Sequence, residues 1–135
     1  MLKKIDHIGI AVTRLSDSIP VFEKMGLKLE GTEEVADQKV KTAFFNIGGV
    51  HIELLEPTSP DSPIAGFLEK KGQGIHHIAF ESDQIEAEME HMKTEGLEFI
   101  DRQPRDGAHQ TRIAFLHPKS TARVLTEICQ HRSEN

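Results

Sequence analysis

Ile5-Asp6-His7-Ile8-Gly9-Ile10 returns further along the chain as Ile75-His76-His77-Ile78-Ala79-Phe80, which places His7 and His77 70 residues apart. A second echo follows the first. Ile52-Glu53-Leu54-Leu55 is matched by Thr126-Glu127-Ile128-Cys129, with the glutamates 74 residues apart. The two offsets nearly agree, and the longer loop His117 to Arg123, standing where the first copy has only Gly48-Gly49, absorbs most of the difference. The chain therefore reads as a duplicated module, each copy supplying one imidazole early and one carboxylate late.

Working outward from the repeat, Ile5 to Val12 alternates, with Ile8, Ile10 and Val12 on one face and His7, Gly9 and Ala11 on the other. Ser16 is expected to cap a helix with Pro20 in its first turn, Ile19, Phe22 and Met25 as its stripe, and Gly26 as its stop. Leu27 to Glu30, Val40 to Ile47 and Val50 to Leu55 read as strands, the last two joined by the hairpin signal Gly48-Gly49. Pro63 opens a short linker helix that buries Ile64, Phe67 and Leu68 and ends at Gly72. The second copy repeats the plan. A strand spans Ile75 to Glu81, Asp83 and Glu86 suggest a capping box, and Ile85, Met89 and Met92 form the helix stripe. Strands are then expected over Leu97 to Ile100, Ile113 to Leu116 and Val124 to Cys129. The expected fold class is α+β: one domain over 1–135, built of two βαβββ modules (1–57 and 74–131) and a linker with a short helix (58–73). These would form a curved mixed sheet with helices outside and a metal site on its concave face.

Composition narrows the function classes. The net charge of −6, with Lys and Arg scattered among acids, argues against nucleic acid, whose phosphates need clustered bases. No apolar run approaches the ~20 residues that span a bilayer. A single cysteine, Cys129, excludes an internal disulfide and fits a reducing cytoplasm; a strand pattern starting by Ile5 leaves no room for a signal peptide. Without Trp or Tyr, the core has to be made from aliphatics, Met and seven Phe.

Strand parity selects the site. His77 opposes Ile78 and Phe80 as His7 opposes Ile8 and Ile10, whereas His76 has the parity of Asp6. Glu53 is set apart from Ile52 and Leu54, and Glu127 from Thr126 and Ile128. His7, Glu53, His77 and Glu127 can thus line one face. Two neutral imidazoles and two carboxylates balance a divalent cation, and this N/O set suits Co, Mn, Ni or Zn with positions left for substrate. His51, His91, His109, His117 and His131 lack a matching partner pattern and most read as surface residues, although His51 shares parity with Glu53. Cys129 shares the cavity-facing parity but reads as an inert thiol. Gly72-Gln73-Gly74 follows a helix and precedes a strand, the wrong order for a phosphate loop, and reads as a turn.

With these residues in place, the duplication resembles the vicinal oxygen chelate superfamily, which includes glyoxalase I, ring-cleaving dioxygenases and fosfomycin-resistance proteins. Within it the chain is similar to the methylmalonyl-CoA epimerase family over almost its whole length. The matching stretches are Ile5 to Val12, Ile52 to Pro57, Ser62 to Ala65 with Phe67-Leu68, Gly74 to Phe80 and Phe115 to Ser120. The resemblance implies metal ligation by His7, Glu53, His77 and Glu127, an acyl-CoA substrate, and a homodimer. It also implies epimerisation through α-proton abstraction and a metal-stabilised enolate, with Glu127 as the catalytic base. Two departures accompany it. Thr42 stands where some epimerases carry a second carboxylate, and glycines are missing from Gly107 to Arg112 and around Ala122-Arg123. The resemblance leaves two alternatives: a glyoxalase I-like isomerase of a thiol hemithioacetal, or a non-catalytic small-molecule binding protein of the same fold. Arg105, Arg112 and Lys119 are possible phosphate contacts for CoA.

Overall fold

The first strand, β1 (Leu2–Ala11), alternates as its sequence demands but is shared between two halves of the molecule. The computed structural model describes residues 1–132. Its contacts gather into two units: residues 7–76, and residues 1–6 together with the chain from 77 onward. β1 is therefore divided after Asp6. The strand that opens the second copy, β5 (Gly74–Ser82), is divided in the same way after His76.

In the first unit α1 (Leu15–Lys24) is followed by β2 (Leu29–Val35), β3 (Val40–Ile47), β4 (Val50–Pro57) and α2 (Pro63–Lys71). The strand order is β2-β3-β4-β1, with β1 parallel to β4 and the other pairs antiparallel. Gly48 and Gly49 both take positive φ, as a two-residue turn matched to strand twist requires. The face bearing Ala43, Phe45 and Leu54 is closed by α1 through Leu15, Ile19 and Phe22. The opposite face, which carries Ala11, Val40 and Leu55, receives α2 through Ile64, Phe67 and Leu68. Burying each of these large side chains contributes roughly 1.5–3 kcal/mol.

The second unit holds α3 (Ile85–Thr94), β6 (Arg105–Asp106), β7 (Thr111–Leu116) and β8 (Thr126–His131). Its strand order is β1-β5-β8-β7-β6, β5 and β8 being parallel. Ile85 and Met89 of α3 pack on Ala114, Leu116 and Ile128. Ala79, Ile113, Phe115 and Cys129 form a cluster on the other face.

Four local expectations are corrected. Ser16 does not cap α1: the helix starts at Leu15, whose N–H donates to the Glu56 carboxylate at 2.8 Å, and Pro20 lies inside the helix. Asp83 does not form a capping box. The Ile85 N–H donates to Gln130 Oε1 at 2.9 Å, and the Gln84 N–H to Ser82 Oγ at 3.1 Å. Both caps come from side chains distant or preceding in sequence, so no local signature announces them. The strand expected over Leu97 to Ile100 reduces to one bridge between Phe99 and Leu116. There the Asp101 carboxylate accepts from the Phe115 N–H at 2.8 Å, and a side chain replaces part of a ladder. The edge strand instead forms later, at the two residues of β6. The linker helix behaves as read: Pro63 is its first residue, Ser62 Oγ accepts from the Ile64 N–H at 3.2 Å, and Gly72 ends it with φ 75°.

Candidate active site

Register places the site residues without appeal to function. In the first unit His7 is the register partner of His51, and Glu53 faces Phe44 across the β3–β4 ladder. Because side chains alternate, His7, His51, Glu53, Phe44 and Thr42 share a face. His7 Nδ1 lies 3.6 Å from Glu53 Oε2, and both side chains are buried. In the second unit Ala79 is the register partner of Glu127, and Phe115 faces Glu127 across the β7–β8 ladder. His77 Nε2 lies 3.4 Å from Glu127 Oε1, again with both buried. The duplication thus yields two equivalent imidazole–carboxylate pairs, one to a unit.

The spacing within each pair is informative. Separations of 3.4–3.6 Å exceed the 2.7–3.2 Å of an ordinary hydrogen bond. They are close to the edge of a coordination polyhedron whose metal–ligand bonds are about 2.0–2.2 Å. A buried carboxylate costs several kcal/mol of desolvation unless countered by charge or hydrogen bonds. The donor types and burial of each pair therefore suit two of the ligands of a divalent ion. Phe115 holds His77 edge-on, with ring centroids 5.6 Å apart, while the Arg105 guanidinium covers the Phe115 ring at 5.5 Å. Packing rather than solvent sets the tilt of that imidazole.

The remaining candidates sort as follows. His76 faces away from the His77 side. It packs edge-on against Phe67, with centroids 5.2 Å apart, and burial pushes its pKa down from 6.5 to about 4. The Cys129 thiol is pushed up, first by burial and then by the nearby Asp6 and Glu127 carboxylates, so its proton stays on. Thr42 is 1% exposed, a small hydroxyl on the Glu53 face of β3. The three basic residues considered for phosphate contact all have carboxylate partners: Arg105 with Asp101 at 3.0 Å, Lys119 with Glu98 at 2.9 Å, and Arg112 with Glu86. The Lys119 hydrogen bond holds the exposed Glu98 carboxyl below the usual range, and Glu86 is held down first by a hydrogen bond to its own backbone and then by Arg112.

His51 and His131 each have a carboxylate partner. His51 Nε2 pairs with Glu30 Oε1 at 3.1 Å beside the Phe44 ring. His131 Nε2 sits 2.6 Å from the buried Asp6 carboxylate. For His51, parity with Glu53 was the available signal; for His131 the partner is 125 residues away, and strand reading alone does not join them.

Residues 6–115 match the model of the glyoxalase/bleomycin resistance protein/dioxygenase superfamily. The chain belongs to that superfamily. The relatives are more specific. The Bacillus subtilis protein YqjC, itself uncharacterised, is 42% identical over 98% of this chain and 96% of its own. The ethylmalonyl-CoA/methylmalonyl-CoA epimerase of Cereibacter sphaeroides is 35% identical, covering 96% of this chain and 99% of its own. A Streptomyces coelicolor methylmalonyl-CoA epimerase variant in complex with 2-nitronate-propionyl-CoA superposes with a TM-score of 0.94 at 35% identity. That match covers 98% of this chain and 100% of the other. The fold is that of the superfamily's epimerase structures. Among the described residues no helix is long and apolar enough to cross a membrane.

Proposed function

We propose that this chain epimerises methylmalonyl-CoA or a close 2-alkylmalonyl thioester of CoA, using one divalent ion held by His7, Glu53, His77 and Glu127. The observation that carries this reading is the pair of buried imidazole–carboxylate couples, 3.6 and 3.4 Å within each pair. Their support is the set of full-length epimerase relatives. A nitronate is a planar anion with the shape of an enolate, so the Streptomyces complex points to the same chemistry in that relative.

A divalent ion held by these four residues would supply Lewis-acid polarisation of the thioester carbonyl. The residues do the rest. Glu127, held on β8 and 4% exposed, is the base that removes the α-proton. His77, fixed edge-on by Phe115, keeps its orientation while Glu127 changes protonation. Thr42 has no ionisable group at pH 7, so one carboxylate carries proton removal and a water or Glu127 itself returns the proton on the other face. We also propose that the chain works as a homodimer, which light scattering on the purified protein would read.

The test is exchange in heavy water. Metal-loaded protein is mixed with methylmalonyl-CoA and the α-proton followed by NMR. Metal-dependent loss of that signal, abolished by Glu127→Gln, is the expected result. No exchange from protein shown to hold its divalent ion would overturn the reading and move hemithioacetal substrates to the front.

A further inference from the structure

Beyond Glu127 the cavity-facing row of β8 continues with Cys129 and His131, alternate residues on the same face. Glu81 of β5 is the register partner of Cys129. Asp6, near the middle of β1, completes the group: one donor atom from each of Asp6, Cys129 and His131 lies within 4.8 Å of the others. His131 Nε2 is 2.6 Å from Asp6 Oδ1 and 3.7 Å from Glu81 Oε1. Asp6 and Cys129 are buried, whereas the His131 ring is partly open to solvent, which gives an ion a way in. All four residues belong to the second unit.

We propose that Asp6, Cys129 and His131, with Glu81 as fourth donor, form a second divalent-cation site of the zinc or cobalt class. Four donors of N, S and O type match the tetrahedral preference of such ions, which magnesium and calcium do not share. The geometry needs little adjustment. Tetrahedral bonds of about 2.0 Å put N and O donors roughly 3.3 Å apart, so the exposed imidazole must withdraw from Asp6 by less than about 1 Å. The Glu81–His131 separation is already near that edge. The electrostatics also favour an ion. The Asp6 and Glu81 carboxylates both approach the His131 imidazole, at 2.6 and 3.7 Å, beside the buried Cys129, and Lys3 stands 3.7 Å from the other oxygen of Glu81. A cation inverts that balance: on binding, the sulfur–metal bond forms, the S–H proton leaves to buffer, and no electron changes hands. A bound ion would fasten β1 to β5 and β8. The site is independent of the epimerase reading, whose proposed ligands contain no sulfur.

The sulfur provides the discriminating probe. Full-length protein is titrated with Co(II), following thiolate-to-cobalt charge transfer in the near ultraviolet and total bound cobalt by equilibrium dialysis. The expected result is a charge-transfer band that saturates at one equivalent, disappears in Cys129→Ser, weakens in His131→Gln and persists in His77→Gln. Cobalt binding without that band in the wild type would overturn the proposal. So would a band unaffected by His131→Gln, or one abolished by His77→Gln, which would place the thiolate on the other ion. Should Cys129→Ser fail to fold, His131→Gln decides, because its ring is partly exposed. If the band is present and heavy-water exchange is absent, the epimerase reading falls and this site stands.

Discussion

His76 offers a measurement in which structure fixes both sign and size. Its imidazole is half-buried against the Phe67 ring, and burial lowers its pKa from 6.5 to about 4. A depressed histidine pKa means that the unfolded chain takes up a proton first. The contribution is thus fully present at pH 7 and is lost as pH falls from 6.5 towards 4. With about 1.36 kcal/mol per unit, stability should drop by about 2 kcal/mol between pH 7 and pH 5 from this residue, and by about 3 kcal/mol once pH is below 4. The perturbation is His76→Gln, which keeps a polar side chain and removes the titration. Urea unfolding of chelator-treated wild type and variant at pH 7, 6 and 5, read by circular dichroism, gives the two pH profiles. Carboxylates and the other histidines contribute equally to both, so the difference between profiles isolates His76. The wild type should lose about 2 kcal/mol more than the variant over this interval. Parallel profiles would refute the desolvation argument.

Other outcomes follow from single residues. Ala122 and Arg123 hold φ of 54° and 67°, so Ala122→Gly and Arg123→Gly should each stabilise by about 0.5–1 kcal/mol in the same urea assay, relief of left-handed strain outweighing glycine's entropy. At Gly107 a Cβ would meet Ile113 Cγ2 at 2.7 Å and Thr111 Oγ1 at 2.8 Å, and Gly107→Ala should cost about 1–3 kcal/mol. Phe45 is fully buried under α1, so Phe45→Ala should cost about 3–5 kcal/mol and lower the melting temperature accordingly. The Cys129 thiol should resist iodoacetamide at pH 8 in folded, metal-free protein and react only in denaturant; fast labelling of the native chain would contradict its buried, protonated state.

The residues that were legible are those whose structure is governed by neighbours in sequence. Alternation in β1 and β5 gave the facing of His7 and His77, and two glycines gave the β3–β4 turn, because both rest on backbone geometry a few residues long. Pro63, Ser62 and Gly72 bounded α2 for the same reason. What escaped depends on distant partners. Glu56 caps α1 from 41 residues away and Gln130 caps α3 from 45, so Ser16 and Asp83 looked better placed than they are. The segment after α3 carries strand-like residues, yet Asp101 satisfies the Phe115 N–H that a neighbouring strand would have taken. In the site, parity put His7 on the face of Glu53 and His77 on the face of Glu127, where each pair now lies within 4 Å. The Asp6–His131 contact lay outside its reach because parity treats each strand alone.

The division of β1 after Asp6 sets an order on synthesis. Residues 7–76 form a contiguous unit, all of whose internal partners are present once the first half of the chain has left the ribosome. The other unit needs Met1–Asp6, made first, and β8, made last. The residues at the start are thus held in reserve for partners at the far end of the chain, and the loop they close is among the longest this protein can make. A chain beginning at His7 would keep the contiguous unit whole and deprive the other of the residues it draws from the start of the chain.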